Sequence, residues 1–210
     1  MRFSQSLIPL SLALLAVGCA EGPVSPAVPA PLADIVGNPT GLHVLRQAPT
    51  ASPLETYRVS FWAYKGAAST VTVNYRPAAG QSVGQPFLRF AIARNGLLAG
   101  GGGMPLRTGD SVAVTLTIDS VGFAVNFQPS GVVFSPGSVA TLTLWYQNAD
   151  PDLNGDGVVD VADETLKQQL AVWYRSGHTY SWLKLSSNND ATLPAVSTAL
   201  YHFSEYAVSW

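Results

Sequence analysis

Residues 112–119 read Val-Ala-Val-Thr-Leu-Thr-Ile-Asp, a run in which apolar side chains alternate with small or polar ones. Successive side chains of a β-strand point to opposite faces, so Val112, Val114, Leu116 and Ile118 share one face and the two threonines lie on the other. Such alternation is typical of an antiparallel strand with one buried face and one solvated face. The stretch therefore predicts a half-buried strand.

Similar short runs, separated by turn residues such as Gly, Pro, Asn and Asp, continue on both sides of this strand. Ten strands are predicted, at residues 57–63, 70–75, 87–93, 112–119, 123–127, 139–146, 171–174, 181–185, 196–203 and 206–210. Many short strands with closely spaced turns indicate two packed sheets. The expected fold is all-β, an antiparallel β-sandwich of the immunoglobulin-like type.

One polar segment interrupts the strands, and it reads Asp-Leu-Asn-Gly-Asp-Gly-Val-Val-Asp-Val-Ala-Asp at residues 152–163. Calcium takes six to eight oxygen ligands, and alternate residues supply them where the chain reverses at a glycine, here Gly157. The spacing predicts a Ca²⁺ site with ligands from Asp152, Asn154, Asp156, the Val158 carbonyl, Asp160 and Asp163. The alternative is a solvated acidic turn without metal.

This loop resembles the calcium loop of the dockerin repeat, because its last ligand is Asp163 where an ordinary EF-hand has glutamate. Dockerins use two such repeats to bind cohesins, and this chain has one. Apolar residues then recur at four-residue spacing in Ala162, Leu166 and Leu170, which predicts a short helix with Asp160 or Asp163 as its N-cap. The loop and helix together form a predicted insertion at residues 150–170.

The N-terminus has the pattern of an export signal. Arg2 precedes an apolar run at residues 7–17 that is too short to span a membrane. The following Ala16-Val17-Gly18-Cys19 resembles a bacterial lipoprotein signal, which implies cleavage before Cys19 and lipidation of its thiol. We therefore expect residues 1–18 to be a signal peptide and the mature protein to be anchored through Cys19 at the outer membrane or cell surface. An ordinary secretory signal is the alternative.

Seven prolines follow between residues 19 and 53, and prolines at this density oppose both helices and sheet ladders. This segment is predicted to be an extended, lipid-anchored tether, with the β-sandwich domain at residues 54–210. Charged residues are only 11% of the chain and its net charge is −2. Without a basic patch, nucleic acid is excluded as a partner. The membrane, a surface protein, a glycan or further copies of the chain remain as partner classes.

Several ordered motifs resemble those of the ZU-five domain, a β-sandwich family found in many bacterial surface proteins. They are Phe127-Gln-Pro-Ser-Gly-Val-Val-Phe134, Ala140-Thr-Leu-Thr-Leu-Trp-Tyr146, Trp182-Leu-Lys-Leu185 and His202-Phe-Ser-Glu-Tyr-Ala-Val208. The resemblance covers residues 85–210. The chain departs from the family in two places. Near Phe87 it lacks the family's proline-rich strand start, and the calcium loop is an insertion between strands. The resemblance implies a structural or interaction module rather than an enzyme.

The string His202-Phe203-Ser204 matches the place at which some ZU-five domains cut their own chain. There, a serine hydroxyl attacks the carbonyl just before it while a base takes its proton; the peptide C–N bond breaks as an ester forms, and water then opens the ester. The base would be His202 or His178. The competing interpretation is that Phe203 fills the core, His202 satisfies a carbonyl and Ser204 precedes the last strand. Self-cleavage aside, no Gly-x-Ser-x-Gly elbow and no zinc-ligand spacing is present, so no catalytic site is predicted.

The expected function is thus a structural or adhesive one, at the cell surface and with one bound Ca²⁺. Two alternatives stay open. One is a carbohydrate-binding module that uses Trp62, Trp145, Trp173 and Trp182 as a stacking platform, although each also lies in a predicted strand, where half-buried tryptophan is the commoner explanation. The other is a filament subunit that joins its neighbours by strand exchange.

Overall fold

The computed structural model describes residues 42–175 and 181–210, and within them the chain forms thirteen strands and one short helix. The elements are β1 (Arg58–Tyr64), β2 (Ser69–Asn74), β3 (Pro86–Ile92), β4 (Leu97–Ala99), β5 (Ser111–Ile118), β6 (Ala124–Gln128), β7 (Val133–Phe134), β8 (Ala140–Trp145), α1 (Val161–Gln168), β9 (Ala171–Arg175), β10 (Leu183–Lys184), β11 (Ser187–Asp190), β12 (Ala195–Leu200) and β13 (Glu205–Ser209). The prediction of an all-β fold is confirmed.

The strands form two large antiparallel sheets and one small pair. A six-stranded sheet has the order β1-β5-β6-β13-β9-β10, a five-stranded sheet has the order β11-β12-β8-β3-β2, and β4 pairs with β7. The strand used to predict the fold, now β5, lies between β1 and β6. Its four apolar side chains, Val112, Val114, Leu116 and Ile118, are all buried as predicted, with exposed fractions of 7% or less.

Side chains from the two large sheets meet in one hydrophobic core. Phe90 of β3 lies with its ring centroid 4.7 Å from that of Phe127 of β6, so the five-stranded and six-stranded sheets touch here. Phe203, in the connection between β12 and β13, stacks on Phe127 at 5.0 Å and meets Phe134 of β7 edge-on at 5.2 Å. An aromatic cluster therefore joins both sheets to the β12–β13 connection.

All ten predicted strands have counterparts, but β4, β7 and β11 were not predicted. The first two are three and two residues long, too short to show alternation in the sequence. They pair with each other, and single bridges join Ala99 to Pro105 and Val133 to His202. The third reads Ser-Asn-Asn-Asp, a composition that disfavours strands. It extends the five-stranded sheet because it pairs with β12 along its whole length.

The folded region begins before residue 54. Residues 42–53, assigned to the tether from their prolines, pack on the sheets. Leu45 is 2% exposed, its N–H donates to the Val208 carbonyl at 2.9 Å, and its carbonyl accepts from the Phe123 N–H at 2.8 Å. An extended, proline-rich segment can thus contribute to a core through one leucine. The predicted signal peptide, Cys19 and the tether as far as residue 41 lie outside the described residues.

In the part of the chain that the structure describes, no helix has the length and apolar character needed to cross a membrane.

Candidate functional site

The acidic loop at residues 152–163 connects the two large sheets. It follows β8 of the five-stranded sheet and leads through α1 into β9 of the six-stranded sheet. The segment that enters it is held by the Asp150 N–H, which donates to the Arg46 carbonyl at 2.9 Å, and the Asp150 carboxylate accepts from the Asp152 N–H at 3.2 Å. The loop therefore starts from a fixed point on the folded core.

Asp152 organises the first half of the loop. One of its carboxylate oxygens accepts from the N–H groups of Gly155, at 2.8 Å, and Asp156, at 3.2 Å, and the other accepts from the Gly157 N–H at 2.8 Å. Gly157 has a φ of +87°, a backbone conformation that residues with a side chain rarely adopt and glycine adopts without strain. The predicted sharp turn at Gly157 is confirmed.

The next two polar residues continue this pattern of side chains bonded to nearby backbone. The Asn154 amide oxygen accepts from the Asp156 N–H at 2.9 Å, and Asp156 accepts from the Val158 N–H at 2.8 Å. The Asn154 amide nitrogen also donates to the second Asp156 oxygen at 2.9 Å. These are Asx turns, in which Asn or Asp takes the place of a backbone carbonyl.

Asp163 closes the loop and is its only buried carboxylate, with 2% of the residue exposed. One oxygen accepts from the N–H groups of Leu153, at 2.7 Å, and Asn154, at 3.2 Å, while the other accepts from the Asp160 N–H at 2.9 Å. The bond from the Asp160 N–H holds the pKa of Asp163 below its ordinary value against the opposing effect of burial, with smaller contributions from Asn154 and Leu153. Asp163 is therefore an anion at neutral pH.

Asp160 caps α1, as the sequence predicts. Its side chain accepts from the Ala162 N–H at 2.7 Å, and with Asp163 it forms a reciprocal capping box. The capping box satisfies backbone donors that the first turn of a helix leaves free. One function of these two aspartates is thus to begin the helix.

The residues of the loop suit calcium in their chemistry, since every predicted ligand is an oxygen and four are carboxylates. None of these carboxylates takes part in the two ion pairs found within the described residues, Lys167–Glu164 and Arg175–Glu205. Across residues 42–175 and 181–210, however, no three His, Cys, Asp or Glu side chains are grouped as ligands of a single metal. Instead, the loop oxygens bind backbone N–H groups.

The string His202-Phe203-Ser204 lies between β12 and β13. Phe203 is 2% exposed and belongs to the aromatic cluster. The Ser204 hydroxyl donates to the Arg175 carbonyl, and the Phe203 carbonyl accepts from the Gly131 N–H at 3.3 Å. His202 Nδ1 lies 3.4 Å from the Phe203 oxygen, so its hydrogen-bond partner here is a carbonyl and not the serine. His178, the other proposed base, lies outside the described residues.

The four tryptophans of the suggested stacking platform lie in different places. Trp62 is 59% exposed on β1, whereas Trp173 on β9 is buried at 4%. Trp145 belongs to the five-stranded sheet, and Trp182, just before β10, has the Arg175 guanidinium 4.9 Å from its ring centroid. The structure therefore does not bring these side chains together as one platform.

A polar cavity lies beside the loop and was not predicted. It is formed by the N-terminal segment near Ala48, the β2–β3 connection from Tyr75 to Gln85, and the residues around Asn148 that precede the loop. These three segments are far apart in the sequence and share no spacing pattern. Only the adjacent amides Gln147 and Asn148, between a strand and a turn, offer a weak signal.

Comparison with known proteins identifies no relative, since no family model, no curated protein and no solved structure matches the chain.

Proposed function

We propose that this chain is a bacterial cell-surface lipoprotein with a structural or adhesive role, whose immunoglobulin-like β-sandwich resembles the ZU-five domain and is stabilised by one Ca²⁺. The two antiparallel sheets with a shared aromatic core support the sandwich assignment. The proposal includes no enzymatic activity. In it, the dockerin-like loop has a stabilising function within the domain.

The observation that carries the calcium proposal is the position of Asp163. This buried, ionised carboxylate holds both the start of the loop, at Leu153 and Asn154, and the start of α1, at Asp160. Asp152 and Asp156 add two more negative charges within a short turn. Like charges in one loop repel each other, and a divalent cation among them would remove that repulsion. In this role calcium links the five-stranded sheet, through β8, to the six-stranded sheet, through β9.

The test is a thermal melt of the delipidated protein in calcium and in chelator. A ligand bound only by the folded state adds RT ln(1 + [L]/Kd), which is about 2.7 kcal/mol at a hundredfold excess over Kd. For a domain of this size we expect the melting temperature to rise by roughly 5–11 °C in calcium. Isothermal titration calorimetry should give one site per chain.

Asp156→Ala should abolish this response, because it removes a ligand that makes no contact with the core. Asp119→Ala is the matched control: Asp119 also accepts backbone N–H groups, from Val121 at 2.8 Å and Gly122 at 2.6 Å, but lies outside the loop. The control should melt lower and keep its full calcium response. Identical melting of the unmodified protein in calcium and in chelator would show that the loop is an acidic turn without metal.

The anchor has its own test. Cys19→Ser removes the thiol that would carry the lipid, so the protein should leave the membrane fraction or retain its signal peptide. Unchanged membrane fractionation of this variant would contradict the lipoprotein assignment and leave the calcium proposal intact.

Self-assembly is a second candidate, and the edge of the six-stranded sheet favours it. Among the described residues, strand β1 pairs with β5 alone; it has seven residues and carries exposed Trp62 and Tyr64 at 59% and 47%. Edge strands are commonly protected by charges, prolines or bulges, and β1 has only Arg58, at its start. Light scattering of the delipidated protein tests this candidate: oligomers that dissociate in Trp62→Lys support it, whereas a concentration-independent monomer rules it out.

A further inference from the structure

The polar cavity beside the loop has the size of a small-molecule site. Its volume is about 520 Å³, within the range of roughly 300–1,000 Å³ that ligand pockets occupy. Backbone hydrogen bonds fix its walls: the Ala48 N–H donates to the Asn148 carbonyl at 2.9 Å, the Arg76 N–H to Pro53 at 2.8 Å, and the Tyr75 N–H to Gln85 at 2.9 Å. The cavity is thus preformed, and a ligand would not have to order its walls.

Hydrogen-bonding groups line this cavity. Four amide side chains face it, together with the hydroxyls of Thr50 and Ser52, and the apolar part of the lining consists of alanines and a proline. Asn148 and Gln85 stand together, with 3.4 Å from the Asn148 amide nitrogen to the Gln85 amide oxygen. Each amide offers both donors and an acceptor, which is what adjacent sugar hydroxyls require.

Unpaired buried groups lie at the same place. Of the three buried side-chain polar atoms without a hydrogen-bond partner in the described residues, the Tyr75 hydroxyl belongs to the lining and the Gln47 amide nitrogen lies next to it, one residue before Ala48. Burial raises the pKa of Tyr75 and the nearby Asn148 amide opposes the rise, although the two groups do not reach hydrogen-bond geometry. Native proteins contain few such groups, so this part of the fold carries polar groups that its own contacts leave unsatisfied.

The charge of the cavity indicates the class of ligand. Arg76 is exposed on the cavity wall and forms neither of the two ion pairs of the described residues. No carboxylate is found among the described residues that line the cavity. A guanidinium that is free of internal partners binds carboxylates through paired hydrogen bonds.

We propose that this cavity binds a sugar carrying a carboxylate, with the Asn148 and Gln85 amides on its hydroxyls and Arg76 on its carboxylate. This inference goes beyond the calcium-stabilised module and does not depend on it. It assigns adhesion to a cavity whose lining, among the described residues, includes no tryptophan. The walls have no large exposed apolar side chain, which disfavours an apolar ligand and suits a single sugar ring.

The experiment uses the delipidated protein and three probes in ¹⁵N-resolved NMR titrations. Glucuronate carries hydroxyls and a carboxylate, glucose carries only hydroxyls, and acetate carries only a carboxylate. Glucuronate should shift the amide signals of Ala48, Ala51 and Asn148 in a saturable way, with a Kd in the millimolar range. It should bind about tenfold or more tightly than glucose or acetate, since hydrogen bonds between charged groups are the stronger ones.

Arg76→Gln should weaken glucuronate binding about tenfold and leave glucose binding unchanged. Asn148→Ala should weaken both sugars. Arg89→Gln, at an exposed position of β3 away from the cavity, is the matched control and should bind as the unmodified protein does. Because Arg76 is exposed, its variant should fold normally, which a melting curve verifies.

Three results would overturn the proposal as a whole, and a fourth would overturn its assignment to sugars. The first is the absence of saturable shifts up to roughly 50 mM glucuronate, which would mean an affinity more than tenfold weaker than expected. The second is equal binding of glucuronate and glucose, and the third is an unchanged glucuronate affinity in Arg76→Gln. Tight binding of acetate would identify the cavity as a general carboxylate site, in which an acidic peptide would fit as well as a sugar, and would contradict the assignment to sugars.

Discussion

Replacing Phe203 by leucine tests whether the string around it serves the core. Phe203 is 2% exposed, stacks on Phe127 at 5.0 Å and meets Phe134 edge-on at 5.2 Å. Such aromatic pairs are each worth roughly 0.5–1.5 kcal/mol beyond the area they bury. A third ring, Phe90, lies with its centroid 5.7 Å from that of Phe203. Leucine keeps an apolar side chain at the site but loses all three pairs, so we expect the free energy of unfolding to fall by about 1.5–4.5 kcal/mol.

The measurement is urea unfolding, in which the free energy of unfolding should depend on urea concentration with the same slope in both proteins. A melting curve gives a second, independent measurement. A loss of about 2 kcal/mol corresponds to roughly 4–8 °C in a domain of this size. Trp62→Leu is the matched control, because it also removes an aromatic side chain but at a position that is 59% exposed. Exposed substitutions usually change stability by less than about 0.5 kcal/mol. Equal stability of the two variants would refute the placement of Phe203 in the core.

Three further predictions concern the N-cap of α1 and the His202-Phe203-Ser204 string between β12 and β13. In chelator, Asp160→Ala should lower stability by about 1 kcal/mol, since the Ala162 N–H loses its acceptor, whereas Asp160→Asn should retain most of it. Burial lowers the pKa of His202 in the folded protein, so the unfolded chain binds a proton more readily. The free energy of unfolding should therefore fall as the pH drops below about 6.5. Melting curves at several pH values should show this dependence, and His202→Gln should remove it. Intact mass spectrometry of denatured protein should show one chain ending at Trp210 in both the unmodified protein and Ser204→Ala, while a species ending at Phe203 only in the former would establish self-cleavage.

Local patterns accounted for most of the fold. In β5, strict alternation fixes the buried face because the period of a strand is two, and all four predicted inward residues are buried. The helix could be predicted from Asp160 because a cap acts on backbone donors within three residues of it. In both cases the residues that determine the structure lie within the same short segment whose sequence pattern predicts it.

Prediction was wrong or incomplete where a distant partner decides the structure. Strand β11 forms from Ser-Asn-Asn-Asp because β12 supplies a ladder, and Leu45 is buried because Val208 and Phe123 lie on either side of it. Neither partner is visible from the composition of the segment itself. A proline-rich segment was therefore assigned to the tether although its last third belongs to the folded domain.

The same distinction separates the two proposed sites. Every proposed calcium ligand comes from one run of twelve residues, so the spacing alone carries the hypothesis. The structure adds the hydrogen bonds that the Asp163 carboxylate accepts from the Leu153 and Asp160 N–H groups. The cavity combines Ala48, Arg76 and Asn148, which the sheets bring together from three separate connections. The sequence alone could not show this site, because two of its features exist only in the folded structure. Among the described residues, these are an arginine without a carboxylate partner and a buried tyrosine hydroxyl without a hydrogen-bond partner. A ligand site built in this way has to be inferred from unmet hydrogen bonds and uncompensated charge, and variants at Arg76 and Asn148 test that inference directly.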